Sequence, residues 1–196
     1  ITEKHLRQKG KNRKPKETRG KFLLGTPISK RPKEIKKRIF FGHYELDTMV
    51  SSRGKSKGCF ATFCEMKSRY FIALKLSDRS SESYGNAINR LLNIYPKTAF
   101  KSFTSDRGKE FSCYRNVEEN NGIKFYFADP YSAWQRGSNE NSNGLLREFY
   151  PKKTDLSEVN EKELRLNLYL INNRPRKCLG WKSAFEVFFN ELVQLI

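Results

Sequence analysis

The sequence predicts an α/β domain in which a mixed five-stranded sheet is flanked by helices. Two observations predict it. Three aromatic and β-branched runs, "GHYELDTMVSS" (42–52), "GCFATFCEM" (58–66) and "RYFIALKLS" (69–77), follow one another across short polar turns, as in an antiparallel meander. After them helical and strand patterns alternate, which places strands beside one another with helices on the faces of the sheet. The material for a core is present: 37% of the 196 residues are hydrophobic, with 15 Phe and 9 Tyr.

The elements follow in order. In the first strand Tyr44, Leu46, Thr48 and Val50 share one face, and Glu45, Asp47 and Met49 the other. "SSESYGNAINRLLNIYP" spaces Tyr84, Ala87, Ile88, Leu91, Leu92 and Tyr95 as a helix, capped by Ser80 or Ser81 and ended by Pro96. "FKSFTSD" (100–106) is the fourth strand. "GKEFSCYRNVEENNG" is a short helix stopped at Asn121-Gly122, and "IKFYFA" (123–128) is the fifth strand. "DPYSAWQRGS" reads as a loop, and a helix begins near Ser138 in "NENSNGLLREFY". "NEKELRLNLYLINNRP" and "SAFEVFFNELVQLI" supply two more helices.

The net charge is +18, and it is unevenly spread. The first 40 residues hold 15 Lys and Arg against three Glu, a net +12, with almost no apolar periodicity. This predicts a basic linker or arm over 1–40 and a folded domain over 41–196. An excess of this size points to a polyanionic partner, nucleic acid before an anionic membrane surface. No apolar run approaches the ~20 residues of a membrane span, and no basic amphipathic helix stands out to lie on one. The sequence starts with Ile1 rather than Met, which reads as a fragment of a longer protein. Cys59, Cys64, Cys113 and Cys178 lack zinc-site spacing and read as buried, reduced thiols of a cytosolic protein.

Three acids carry the chemistry. Asp47 lies mid-strand among apolar neighbours, where an acid is disfavoured unless something pairs with it. Asp106 ends the fourth strand, and Glu140 lies in the first turn of the helix after the fifth. Taken singly, Asp106 is also a turn residue and Glu140 a partner for a helix N-terminus. If the first and fourth strands are neighbours, Asp47 and Asp106 converge, and a helix beside that edge brings Glu140. Three bare carboxylates repel. A hard divalent cation such as Mg²⁺ resolves this, and a pair of such ions suits phosphoryl displacement.

The stretches "GHYELDTMV", "SDRGKEF", "YFADPYSAWQRGSNENSNGLLREFYPKKTDLS" and "NNRPRKCLGWKSAFEVF" together resemble the catalytic region of bacterial insertion-sequence transposases. The family is the insertion-sequence-thirty family, within the group sharing the retroviral-integrase core, and the resemblance covers roughly 20–190. Asp47 matches the first acid of the family's triad, with Tyr44 in place of the usual Trp. Asp106 matches the second and Glu140 the third, 34 positions on.

The resemblance implies a ribonuclease-H-like fold, two Mg²⁺ ions (Mn²⁺ substituting), and DNA cleavage followed by strand transfer. Asp47 would bridge both metals, with Asp106 and Glu140 each holding one. It also implies transposon-end and target DNA as partners, a homo-oligomeric active complex in the bacterial cytosol near the nucleoid, and helix-turn-helix domains in a missing N-terminal part. A DNA-binding remnant without catalysis and a purely hydrolytic nuclease are the alternatives.

Arg147, seven residues after Glu140 on the same helix face, is expected to point at DNA, with Asn143 on that face beside DNA or the acids. The resemblance makes Trp134, Gln135 and Arg136 a DNA-contacting or active-site loop, with a buried Trp anchor as the alternative. Arg174, Arg176 and Lys177 form a basic cluster for phosphates or packing. Glu45 is an accessory acid or a partner for a basic residue, and Asn139 a helix cap or a site residue. His43 supports its strand, and Asp129 forms a turn before Pro130.

Overall fold

The computed structural model describes residues 24–52, 56 and 58–195. The basic stretch 1–23, most of the expected arm, lies outside the described residues. The strands are β1 (Thr26–Pro27), β2 (His43–Val50), β3 (Cys59–Glu65), β4 (Phe71–Leu76), β5 (Ser102–Ser105) and β6 (Lys124–Phe127). The helices are α1 (Lys33–Lys36), α2 (Ser81–Ile94), α3 (Tyr114–Asn121), α4 (Gly137–Phe149), α5 (Glu161–Asn173) and α6 (Ala184–Val193).

The strands form one mixed sheet in the order β1-β6-β5-β2-β3-β4. β2–β3 and β3–β4 are antiparallel, while β2–β5, β5–β6 and β1–β6 are parallel. The sheet therefore has six strands rather than the expected five. The extra strand, β1, is two residues long, below the reach of any periodicity, and sits at an edge where Pro27 needs no ladder N–H. Leu24, just before it, is buried in the core.

Two apolar clusters cover the two faces. Tyr44 and Leu46 pack with Tyr84, Ile88 and Leu91 of α2 and Phe188 of α6. Met49 packs on the opposite side with Phe60, Leu146, Tyr150 and Ile171 beneath α4 and α5. The pleat of β2 thus separates its two expected faces between the clusters. Local chemistry sets the ends: Ser80 Oγ caps α2 by accepting from Ser83 N, and α3 stops at Gly122 with φ +69°. Ser183 and Glu186 form a capping box on α6.

All four cysteines are free, but only Cys59 and Cys64 are buried; Cys113 is half-buried and Cys178 exposed, because the loop carrying Cys178 lies on the surface. Burial pushes the thiols of Cys59 and Cys64 up to about 11 and about 12. Among the described residues no helix is long and apolar enough to cross a membrane.

Tyr44, standing where the resemblance expects Trp, is fully buried, and its hydroxyl has no hydrogen-bond partner among the described residues. A buried unpaired hydroxyl costs about 1–3 kcal/mol. Tyr44→Phe is therefore expected to leave stability unchanged or raise it by about 1 kcal/mol in a urea melt; a loss of that size would show that the hydroxyl has a partner.

His43, as expected, supports its strand: Nδ1 lies 2.7 Å from Ser102 Oγ on β5. Burial first, then the neighbouring Lys101 and Arg31, lower its pKa to about 4. The fold therefore prefers neutral imidazole. Its contribution is intact above the unfolded value near 6.5 and is lost as pH falls toward 4. The melting temperature should fall more steeply from pH 7 to 4.5 in the parent than in His43→Asn; parallel curves would refute this.

Candidate active site

β2 and β5 are parallel neighbours, with Glu45 opposite Thr104. Carried two residues further, that register sets Asp47 across from Asp106, one residue past the end of β5. The expected convergence of the first and fourth strands is present, and one side chain joins the two acids. The Arg136 guanidinium lies 3.3 Å from Asp47 Oδ1 through one terminal nitrogen and 3.3 Å from Asp106 Oδ2 through the other. It also donates to the Leu46 carbonyl at 3.0 Å.

The remaining carboxylate oxygens are held locally. Asp47 Oδ1 accepts from Thr48 N at 2.9 Å, and Oδ2 accepts from Asn143 Nδ2 at 3.1 Å. Asp106 Oδ1 accepts from Gly108 N at 2.9 Å, the turn bond expected of an Asp two residues before a glycine. Asp106 is thus a turn residue that also shares Arg136 with Asp47.

Glu140 stands exposed in the first turn of α4. Among the described residues no three His, Cys, Asp or Glu side chains are gathered to hold a metal. Glu140 shares a helix face with a residue that touches the pair. It precedes Asn143, which touches Asp47, by three residues, about one helical turn on the same face.

Glu45 explains why α4 starts where it does. Its side chain is 1% exposed, and Oε2 accepts from the backbone N–H groups of Ser138 at 2.8 Å and Asn139 at 2.9 Å. A carboxylate on a helix N-terminus satisfies orphan donors and the helix dipole together. Arg31 and Arg69 flank it. Burial lowers both guanidinium pKa values while the Glu45 charge opposes that. Asn139 is not the helix cap: it lies inside the helix, fully buried. Its Nδ2 donates to the carbonyls of Glu45 and Thr62, and its Oδ1 accepts from Thr62 Oγ1 at 3.1 Å. Glu45 and Asn139 together bolt the start of α4 to β2 and β3.

A second ion pair flanks the acids. Glu110, 3% exposed, accepts from Arg79 at 2.6 Å and from Thr48 Oγ1 at 3.0 Å. Burial disfavours the Arg79 charge, but the fields of Glu110, Asp106 and Asp47 outweigh it and raise its pKa. Neither residue was singled out from sequence. The available signal was an acid beside Phe111 in "SDRGKEF", the same kind of misfit that marks Asp47.

The expected DNA contacts divide. Trp134 is 76% exposed, so it is not a buried anchor. Lys177 is exposed in a surface turn. Arg174 pairs with Glu148 at 3.0 Å and lies over the Phe149 ring. Arg147 donates to the carbonyls of Val50 and Tyr150, and burial lowers its pKa. Arg176 donates to the Ile171 carbonyl and is lowered likewise. Asp129 exchanges hydrogen bonds with Gln135, with Arg107 3.8 Å away.

Residues 40–133 match the family described as Integrase core domain, a span that includes Asp47 and Asp106. The chain is 39% identical over 189 residues to the transposase InsI of insertion sequence element IS30C from Escherichia coli strain K12, covering 95% of this chain and 49% of that protein. It is 39% identical over 171 residues to a probable transposase of the insertion-like element IS1161 of Streptococcus salivarius, covering 87% of this chain and 48% of that one. Over 95% of its length the chain is thus similar to an IS30 transposase.

The chain spans about half the length of the curated relatives it matches. Its fold is that of the retroviral integrase catalytic core. It superposes on the catalytic core domain of BIV integrase with a TM-score of 0.60 at 20% identity, covering 78% of this chain and 96% of that one. It matches a chain of the simian T-cell lymphotropic virus intasome with a TM-score of 0.63 at 15% identity, over 87% of this chain and 58% of that one. The expected ribonuclease-H-like architecture is therefore present in this chain.

Proposed function

We propose that this chain catalyses DNA strand cleavage and strand transfer at transposon ends, with Asp47, Asp106 and Glu140 as its acidic triad. The observation that carries the reading is the meeting of Asp47 and Asp106 across parallel neighbours, with the helix of Glu140 bolted beside them. The donor set fits a hard divalent cation. Two carboxylates already share one positive charge, and Asn143 Oδ1 beside them is buried without a partner among the described residues. Asp47, Asp106 and Glu140 would hold Mg²⁺ or Mn²⁺, two ions in the full site. Bound there, such ions supply charge neutralisation and Lewis acidity to phosphoryl transfer.

The chain's own residues set the geometry. Asn143 and the Thr48 amide fix the rotamer of Asp47, the Gly108 amide fixes that of Asp106, and Glu45 with Asn139 fixes where Glu140 starts. In the first reaction water attacks the phosphodiester at the element's end and frees a 3′-hydroxyl. In the second that hydroxyl attacks a target phosphodiester and expels the target's own 3′-oxygen. The excess of +18 and the exposed Trp134 and Lys177 suit a DNA partner, and joining two ends calls for a homo-oligomer acting on the bacterial nucleoid.

The test uses branched DNA that mimics the joined product, because its resolution is strand transfer in reverse and needs no recognition of a particular end. The parent chain should resolve it in Mg²⁺ or Mn²⁺, while Asp47→Ala, Asp106→Ala and Glu140→Ala should not. Any of the three that keeps the parent rate is not part of the site. Hydrolysed products alone would make the chain a nuclease.

A further inference from the structure

We infer that Arg136 is the resident counter-ion of the Asp47–Asp106 pair, which an incoming divalent cation must displace, so that cation loading and release of the segment ahead of α4 are one event. The inference rests on the proposed reading of these acids as cation ligands. The Arg136 side chain is 13% exposed, less than Asp47 at 29% or Asp106 at 40%, so its charge is turned toward the acids rather than presented to a phosphate. A guanidinium cannot discharge itself, so the pair and the arginine stabilise each other as long as nothing else sits between them.

The contact is nonetheless loose. Each carboxylate receives a single contact at 3.3 Å, longer than the ~2.7–2.9 Å of a good charge-assisted bond. Arg136 Nε is buried without a partner among the described residues. An arginine committed to a carboxylate would use the bidentate fork, and this one does not. A compact divalent ion carries twice the charge to the same oxygens and wins by Coulomb attraction.

The fold also shows where the chain can give. Glu45 grips α4 from Ser138 onward, and Arg136 lies two residues ahead of that grip. Arg136 can leave while Asn143 and the start of α4 stay fixed. The segment it belongs to carries the exposed Tyr131 and Trp134. A released guanidinium there is suited to a DNA phosphate, so the residue that guards the metal-free acids becomes a DNA contact once they are loaded.

The test is Mn²⁺ titration of the 196-residue chain by electron paramagnetic resonance, with thermal melts alongside. Arg136→Ala should bind Mn²⁺ about tenfold tighter than the parent, and Arg136→Lys by a smaller factor. In chelator Arg136→Ala should melt below the parent, and saturating Mn²⁺ should close that gap. Arg136→Lys keeps a charge in place and carries the comparison if the alanine variant fails to fold. Equal or weaker Mn²⁺ binding in the Arg136 variants overturns the inference. Asp47→Ala separates the two readings. If it binds Mn²⁺ like the parent, the site reading falls and this inference with it; if binding needs Asp47 but ignores Arg136, only the inference falls.

Discussion

Glu45→Ala is expected to cost the fold about 3 kcal/mol, a fall in melting temperature of about 6–12 °C for a chain of this size. The carboxylate is 1% exposed and accepts two backbone N–H groups at the start of α4. Alanine leaves both donors without an acceptor in a region that water does not reach. It also removes the acid whose field favours the Arg31 and Arg69 charges, which burial penalises. Glu45→Gln keeps a carbonyl acceptor and should cost about 1 kcal/mol. Because α4 also carries Glu140, the glutamine variant should fold and still lose turnover at saturating DNA, with little change in DNA affinity. Chemical melts and single-turnover rates decide it, and an alanine variant within about 1 kcal/mol of the parent refutes the clamp.

Asp106→Asn is expected to remove strand transfer while sparing the fold. The amide oxygen of Asn still accepts from Gly108 N, so the turn bond at 2.9 Å survives. What disappears is the second negative charge opposite Asp47, and with it most of the hold the pair is proposed to have on a divalent cation. Loss of one such electrostatic group lowers the rate by about 10²–10³-fold or more. The side chain is 40% exposed, so the melting temperature should stay within about 3 °C of the parent. Rates on branched DNA in Mg²⁺, set beside melts of the same preparation, separate this from a structural role. A variant inactive only because it is unfolded would count against the assignment.

Much of this was legible in the sequence, for physical reasons. The strand runs around Asp47, Cys59 and Phe71 are dense in aromatic and β-branched residues, and their order dictates the meander. Asp47 betrays itself as an acid inside an apolar strand. The parallel pairing that brings it to Asp106 follows once the helix α2 separates β4 from β5. β1 was not legible, since two residues carry no period and its pairing with β6 spans 100 positions. For Arg136 the resemblance gave a DNA-contacting or active-site loop, but not its place between the two acids. Its neighbours in sequence mark a loop, and only the folded arrangement shows that its charge lies between two strands. Arg147 shows the opposite limit: helical spacing gave its face, but not that two carbonyls would occupy its guanidinium.

The pleat of β2 has an evolutionary consequence. Alternate residues of one strand anchor a helix at position 45 and present an acid at position 47, while positions 44 and 46 seal the opposite core. Inserting or deleting one residue here would turn anchor and acid together into the wrong layer. Length changes inside β2 should therefore be absent from related chains, and the two-residue step from anchor to acid should stay fixed. The chain just outside it is held as well: Leu156 N donates to Ser51 Oγ, and a Cβ at Gly58 would lie 2.6 Å from Ser157 N.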